Sequence, residues 1–191
     1  MAVVLRPMLV SDAQVFASWA ADPTFCAQAG WTTRSDAEER ITWWRTLIAD
    51  PDPKLVRMTA VCDGDVVGYA DLHGDSERTR ELGFVIGGPE RWGEGLGLAT
   101  AAAGLTYGFD ELGLSCIWAE ALEANLASVR ILQRLGMTYT GRGAEQPFVG
   151  VASVYLQHRM TRRDWERMRL RPTWSGELGT RANAAESRDD A

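Results

Sequence analysis

The chain has 191 residues, 46% hydrophobic and 24% charged, and it carries a formal net charge of −6 at pH 7. Its length suits one domain with a full core, and its acidic balance argues against nucleic acid as a partner while favouring a cationic ligand. Two histidines, three separated cysteines, no long apolar run and no signal-peptide pattern lead us to expect no metal site, no membrane span and a cytoplasmic protein.

The N-terminal part of the chain predicts a short strand and then two helices. Ser11 is placed to cap the first helix, and Ser35 opens the second with the form of a capping box. The predicted elements are a strand over 3–6, a helix over about 11–21, a loop over 22–34 and a helix over about 35–49.

Three strand-like runs follow, and they predict an antiparallel meander. Asp63-Gly64 stands between the first two runs and is a strong hairpin signal. The runs cover residues 55–62, 66–72 and 80–86.

A glycine-rich stretch after this meander is the strongest local signal. Gly93, Gly95 and Gly97 stand at alternate positions just before a predicted helix that ends near residue 110. Bare backbone approaches a ligand closely, and the unpaired N–H groups of a helix N-terminus favour a phosphate. The spacing fails the dinucleotide pattern G-x-G-x-x-G, and no Walker-type lysine follows, because Lys54 is the only lysine. The stretch therefore predicts a phosphate-binding loop of another kind.

The C-terminal part predicts an α+β arrangement followed by a polar tail. Asn125 can cap a helix that Gly136 closes, and Glu145 falls in a predicted loop before the last strand. The predicted elements are strands over 115–119, 137–139 and 151–159, helices over 125–135 and 162–169, and a disordered tail over 171–191 after a domain of residues 1–170.

Two motifs together resemble a known family. The first is Trp92-Gly93-Glu94-Gly95-Leu96-Gly97, and the second combines Asn125, Ser128 and Gly136, with Met137 in place of a usual Phe. At this separation they resemble the GCN5-related N-acetyltransferases (GNAT), particularly the ribosomal-protein alanine acetyltransferase-like branch. The resemblance implies the GNAT fold, a mixed and mostly antiparallel sheet of about six to seven strands flanked by helices.

The resemblance also implies acetyl-CoA as the cosubstrate. Backbone N–H groups of the glycine stretch would hold its pyrophosphate, and Asn125 would orient its pantetheine arm. An N–H of Val85 or its neighbour would serve the oxyanion of the tetrahedral intermediate. Glu94 departs from the family, where a basic residue is common, so its carboxylate is expected to point outward. The implied cofactor-binding residues are Phe84, Val85, Ile86, Arg91, Trp92, Gly93, Glu94, Gly95, Leu96, Gly97, Leu98, Ala99, Asn125 and Ser128.

Acetyl transfer to an amine needs a base, because a free alkyl amine is mostly protonated at neutral pH. Glu81 and Glu145 are the two candidates. Leu132 stands where many family members have a tyrosine, so Ser128 would protonate the thiolate or only bind the sulfur. Trp31 and Trp44 are expected to line the acceptor pocket.

The resemblance implies direct attack of a primary amine on the thioester. A protein N-terminus is the first acceptor considered, with a polyamine or an aminoglycoside as the alternative. A catalytically weak acyl-CoA-binding module that regulates a partner is a third hypothesis. A homodimer is left open.

Overall fold

A seven-stranded sheet forms the centre of the domain, with the strand order β1-β2-β3-β4-β5-β7-β6. The computed structural model describes residues 2–32 and 36–170. Every neighbouring pair is antiparallel except β4 and β5, which are parallel. The strands are β1 (Val3–Pro7), β2 (Leu55–Cys62), β3 (Asp65–His73), β4 (Thr79–Ile86), β5 (Cys116–Leu122), β6 (Thr138–Glu145) and β7 (Val154–Thr161).

In the part of the chain that the structure describes, six α-helices cover the two faces of the sheet. Leu82 and Ile117 face α4, α5 and α6 in the larger core cluster, and Tyr69 faces α1 and α3 on the opposite side. The helices are α1 (Ala13–Trp19), α2 (Pro23–Ala29), α3 (Ala37–Ala49), α4 (Leu96–Thr106), α5 (Leu126–Arg134) and α6 (Arg162–Arg169). This architecture confirms the predicted α+β fold with a mostly antiparallel sheet.

The start of the first helix differs from the prediction. Residues Val10–Asp12 form a short 3-10 turn, and Asp12 rather than Ser11 stands at the N-cap of α1. Asp12 is 3% exposed and accepts hydrogen bonds from Arg6 Nη1, Thr59 Oγ1 and the Leu9 N–H. Its carboxylate therefore ties β1, β2 and α1 together, a long-range role that helix-cap patterns do not reveal.

One helix, α2, occupies residues for which the sequence predicts a loop. Asp22 accepts from the N–H groups of Thr24 and Phe25, Pro23 takes the first position of α2, and Gly30 ends the helix in the left-handed conformation at φ 68°. An Asp-Pro start with a glycine end is a helix signal in itself.

In the next helix, α3, Asp36 is the N-cap and accepts a hydrogen bond from the Glu39 N–H. Ser35, the predicted start of this helix, lies outside the described residues.

Two of the C-terminal strands, β5 and β6, extend beyond their predicted ends. β5 continues to Leu122, and β6 extends to Glu145, so Glu145 ends a strand instead of lying in a loop. The predicted tail, 171–191, lies outside the described residues. Within 2–32 and 36–170, no helix combines the length and apolar character that crossing a membrane requires.

The parallel junction between β4 and β5 opens after three residue pairs. Thr79, Arg80 and Glu81 pair with Cys116, Ile117 and Trp118, and the pairing stops there. β4 nevertheless continues to Ile86 and β5 to Leu122. The two strands therefore splay, and we call the space between residues 82–86 and 119–122 the gap.

Candidate active site

The glycine loop, residues 93–97, presents bare backbone at the N-terminus of α4. Gly93 and Gly95 have φ of 85° and 88°, and a Cβ on either would meet nothing within 4 Å. Gly95 is the N-cap of α4, so the following N–H groups, from Leu96 on, belong to the first helical turn and lack intrahelical acceptors. Open space in front of such donors suits an anionic ligand.

The gap begins beside this loop and leads into the sheet. A Cβ on Gly97 would lie 2.8 Å from Ile131 Cδ1 of α5, 3.8 Å from Ile86 Cγ1 and 4.0 Å from Phe84 Cε2. The start of α4 therefore sits directly against both β4 and α5. A ligand held at the glycine loop could extend from there between the splayed strands.

Strand geometry determines which backbone donor faces the gap. The Gly87 N–H donates to the Val67 carbonyl at 3.0 Å, in register with the antiparallel β3–β4 ladder. Because N–H groups two residues apart along a strand point the same way, the Val85 N–H also faces β3. The Phe84 N–H then faces the gap. The two alternatives for an oxyanion donor are Val85 and its neighbour. The alternating direction of the N–H groups along β4 favours Phe84.

The side chains of the predicted cofactor-binding residues have several different roles. Trp92 donates its indole Nε1–H to the Ile86 carbonyl at 3.1 Å and so ties the loop to the end of β4. Arg91 lies 3.7 Å from an Asp65 carboxylate oxygen and 3.9 Å from one of Glu90, so its charge is already shared. Glu94 is exposed, as expected.

Two more of these residues serve the core with their side chains. Leu96 is 4% exposed and Ala99 is 6% exposed, and both pack against β1, β2 and β3. Only their backbone could reach a ligand. The Val85 side chain packs on the α1 side of the sheet, away from the gap.

A cavity of about 250 Å³ lies at the inner end of the gap. Phe84 of β4 and Asn125 and Ser128 of α5 line it, which brings three of the predicted site residues together. The remaining walls come from α2, β5, β7 and the β6–β7 loop, and they include Gln28, Glu120, Gln146, Phe148 and Tyr155.

The N-terminus of α5 fixes two polar groups at this cavity. Asn125 Oδ1 accepts from the Ser128 N–H at 3.1 Å, which confirms the predicted cap and leaves the Asn125 amide NH₂ for a ligand. Leu132, one turn further along, is 1% exposed and packs in the main core. Ser128 is thus the hydroxyl that α5 brings to the lining.

Glu81 and Glu120 form what we call the carboxylate pair. They lie on adjacent strands where the gap opens, and Gln157 donates to Glu120 Oε2 at 3.1 Å. Burial raises the pKa of Glu81, and the neighbouring charge of Glu120 raises it further. A carboxylate whose pKa is raised holds a proton more readily, which suits a group that must take one from an amine.

Three predicted site residues lie elsewhere. Glu145 is exposed at the end of β6 and does not line the cavity, although the next residue, Gln146, does. Trp31 and Trp44 do not line it either. Their rings are 5.6 Å apart in an aromatic cluster with Phe16 and Tyr69, and Trp44 is 2% exposed. Both tryptophans pack in this cluster, and their part in binding an acceptor stays a prediction.

The structure adds Glu120, Tyr155 and Gln146 to the site. Glu120 was missed because the predicted strand ended at residue 119. The strand continues to Leu122, and the alternation of Trp118 and Glu120 would have placed both on one face. Tyr155 faces Leu122 across the β5–β7 ladder, a pairing that only the register reveals. The described residues contain no group of three His, Cys, Asp or Glu arranged for a metal ion.

Comparison with known families identifies the family of the chain. The family model for the acetyltransferase (GNAT) domain matches residues 2–138. The chain belongs to the GNAT acetyltransferase family. This membership confirms both the predicted family and the predicted enzyme class, an N-acetyltransferase.

Curated relatives of this GNAT chain are distant. Over 167 residues it is 26% identical to YdaF of Bacillus subtilis, whose name assigns it to the ribosomal N-acetyltransferases; the match covers 85% of this chain and 86% of YdaF. Over 96 residues it is 30% identical to FsC-acetyl coenzyme A-N(2)-transacetylase of Aspergillus fumigatus. That match covers 49% of this chain and 40% of the fungal protein, so the chain spans less than half of that relative.

Solved structures share the fold of this GNAT chain. The spermidine N-acetyltransferase of Vibrio cholerae, solved with CoA and spermine, matches with a TM-score of 0.72 at 17% identity, covering 86% of this chain and 98% of that one. The aminoglycoside acetyltransferase AAC(6')-Ib, solved with coenzyme A, matches with a TM-score of 0.70 at 20% identity, covering 88% and 99%.

Proposed function

We propose that the protein transfers the acetyl group of acetyl-CoA to a primary amine by direct attack on the thioester. The observation that carries this proposal is the continuity of three features: the glycine loop, the gap and the cavity with its carboxylate pair. They follow one another in the same order as the pyrophosphate, the pantetheine arm and the thioester along acetyl-CoA. Structural neighbours solved with coenzyme A support the choice of ligand.

Backbone groups would bind acetyl-CoA. The N–H groups of the glycine loop and of the first turn of α4 would hold the pyrophosphate. The amide-rich pantetheine arm would lie in the gap along β4, with the Asn125 NH₂ as an additional donor. The Phe84 N–H would then lie where the thioester oxygen gains negative charge during attack.

The carboxylate pair would receive the acceptor. An alkyl ammonium has a pKa near 10, so it must lose a proton before its nitrogen can attack. Asp71, the next carboxylate on the same face, is already paired with Arg57 at 2.6 Å between Oδ1 and Nε. Glu120 lines the cavity and Glu81 lies beside it, so this pair would attract the ammonium group and take up its proton.

The acceptor is a cationic amine in this proposal, with a protein N-terminus as its first form. YdaF, the relative matched over most of this chain, carries a ribosomal N-acetyltransferase name. The acidic net charge suits this class of acceptor.

Thiol release from acetyl-CoA tests the proposal. The panel contains a peptide with a free N-terminus, the same peptide blocked at its N-terminus, spermidine, an aminoglycoside and buffer alone. We expect the free peptide to raise thiol release above background and mass spectrometry to find its acetylated form. Binding of acetyl-CoA without any amine-dependent release would instead favour the non-catalytic module, and a lack of acetyl-CoA binding would remove the cosubstrate assignment.

A further inference from the structure

Acetyl transfer leaves a thiolate on coenzyme A, and the described part of α5 offers only Ser128 as a nearby hydroxyl. Leu132, where a tyrosine would point from the same helix, is 1% exposed and packed into the core. A second hydroxyl donates to Gln146, which also lines the cavity. It belongs to Tyr155 of β7, which lines the cavity together with Phe84 and Ser128.

We propose that Tyr155 donates the proton taken up by the departing thiolate of coenzyme A, an assignment that rests on the acetyl transfer proposed above. Ser128 then binds the sulfur or the pantetheine arm without giving up its own proton. Tyr155 of β7 thus supplies the hydroxyl that Leu132 of α5 lacks.

The position of Tyr155 beside Glu120 is fixed by β6. A Cβ on Gly143 would lie 3.2 Å from Tyr155 Cβ, 3.3 Å from Glu120 Oε2 and 3.0 Å from Gln157 Nε2. Tyr155 and the Glu120 carboxylate therefore lie side by side against the Gly143 backbone. The Tyr155 hydroxyl donates to Gln146 Oε1 at 3.1 Å in a partly exposed bond that the arriving ligand can replace.

The proton inventory closes with groups in the cavity. The amine nitrogen bonds to the carbonyl carbon and passes a proton to the carboxylate pair. The C–S bond then breaks, its electron pair goes to sulfur, and the sulfur takes the Tyr155 O–H proton. The carboxylate pair has by then received two protons, one from the ammonium before attack and one from the attacking nitrogen. It passes one to the phenolate and releases the other to solvent, which leaves an amide, a free thiol and the enzyme in its starting form.

The charges around Tyr155 favour this order of events. Burial raises the pKa of Tyr155, and the charges of Glu120 and Glu81 raise it further, so the phenol is protonated before the reaction. When the carboxylate pair takes the amine proton, part of that negative charge disappears. The phenol therefore becomes a better donor at the moment when the thiolate leaves.

The test compares Tyr155→Phe with Ser128→Ala, using thiol release at saturating amine and acetyl-CoA. We expect kcat to fall about 100-fold in Tyr155→Phe, within the range of a lost general acid, and less than about tenfold in Ser128→Ala. The dissociation constant of acetyl-CoA should stay at the wild-type value in Tyr155→Phe. Tyr139→Phe, at a 52% exposed tyrosine of β6, is the matched control and should leave kcat unchanged.

Gln146→Leu separates a proton donor from a structural tether. It removes the partner of the Tyr155 hydroxyl and keeps the hydroxyl itself, so we expect only a few-fold loss of kcat. Equal losses in Gln146→Leu and Tyr155→Phe, or a larger loss in Ser128→Ala than in Tyr155→Phe, would overturn the assignment. A wild-type enzyme inactive with every amine would instead count against the proposed function itself.

Discussion

The two ends of the candidate site are built from different groups of the chain, backbone at one end and side chains at the other. The cofactor end consists of backbone: left-handed glycines, the first turn of α4 and the edge of β4. The acceptor end consists of side chains, with Glu81, Glu120 and Tyr155 brought together from three strands. In the proposed function, the backbone end would bind acetyl-CoA, whereas the side chains would determine which amine is accepted and how its proton leaves.

The largest expected effect lies at the acceptor end. Glu120→Gln keeps the hydrogen-bonding shape and removes one carboxylate of the pair proposed to take the amine proton, so we expect kcat to fall by about 10²- to 10³-fold with little change in acetyl-CoA affinity. Glu123→Gln is the matched control, because Glu123 is exposed and pairs with Arg142 at 2.9 Å on the surface. A loss of acetyl-CoA affinity in Glu120→Gln would show that the two ends are not separable.

An intermediate effect is expected at the cofactor end. Gly95 stands at φ 88°, where a β-branched residue is strained by about 1–2 kcal/mol, so Gly95→Val should distort the loop. We expect the dissociation constant of acetyl-CoA to rise about tenfold, measured by calorimetry, while kcat at saturation changes less. Gly113→Val is the control: Gly113 has φ 69° and equally open surroundings, but it lies in the turn before β5. Equal losses of affinity in both variants would contradict a role for the glycine loop in binding.

The smallest effect concerns stability, and it tests the burial of the carboxylate pair. Because the pKa of Glu81 is raised in the folded state, its contribution to stability is full below the unfolded pKa, near 4.3, and is lost as the pH rises through the folded pKa. Glu81→Gln should therefore raise Tm at pH 7 by about 2 °C and give no gain near pH 4. Glu145→Gln, at an exposed carboxylate, should show no such pH-dependent gain. A lowered Tm at pH 7 in Glu81→Gln would contradict the inference that the buried charge of Glu81 destabilises the folded protein.

The same contrast explains how much of the site could be predicted from the sequence. Positive φ and helix caps restrict residue types strongly, so Gly95, Asn125 and Gly136 mark their positions in any single sequence. The carboxylate pair leaves no such mark. Glu120 comes to the site because β5 runs to Leu122, and Tyr155 because β7 pairs with β5 in one particular register.

The fold shows the same division between local and long-range signals. The Asp63-Gly64 hairpin and the strands it joins follow from local residues and were predicted within a few residues. The role of Asp12 depends on Arg6 and Thr59, the latter 47 positions away, so the cap was assigned to Ser11 instead. Trp31 and Trp44 are expected in the acceptor pocket because the family resemblance places the two-helix region over the acceptor, and an aromatic side chain suits a pocket and a core equally well.

The three residue pairs that join β4 to β5 also have a consequence for how the chain folds. Each half of the sheet is contiguous in sequence, β1–β4 before Gly87 and β5–β7 after Ser115, and each is made of antiparallel pairs with mostly local connections. Within residues 2–32 and 36–170, the halves are joined edge to edge by a short parallel ladder, and helices pack across both. A ligand lying in the gap would add hydrogen bonds to both edges and act as a missing strand. We therefore expect acetyl-CoA to strengthen the cooperativity between two folding units as well as to deliver an acetyl group.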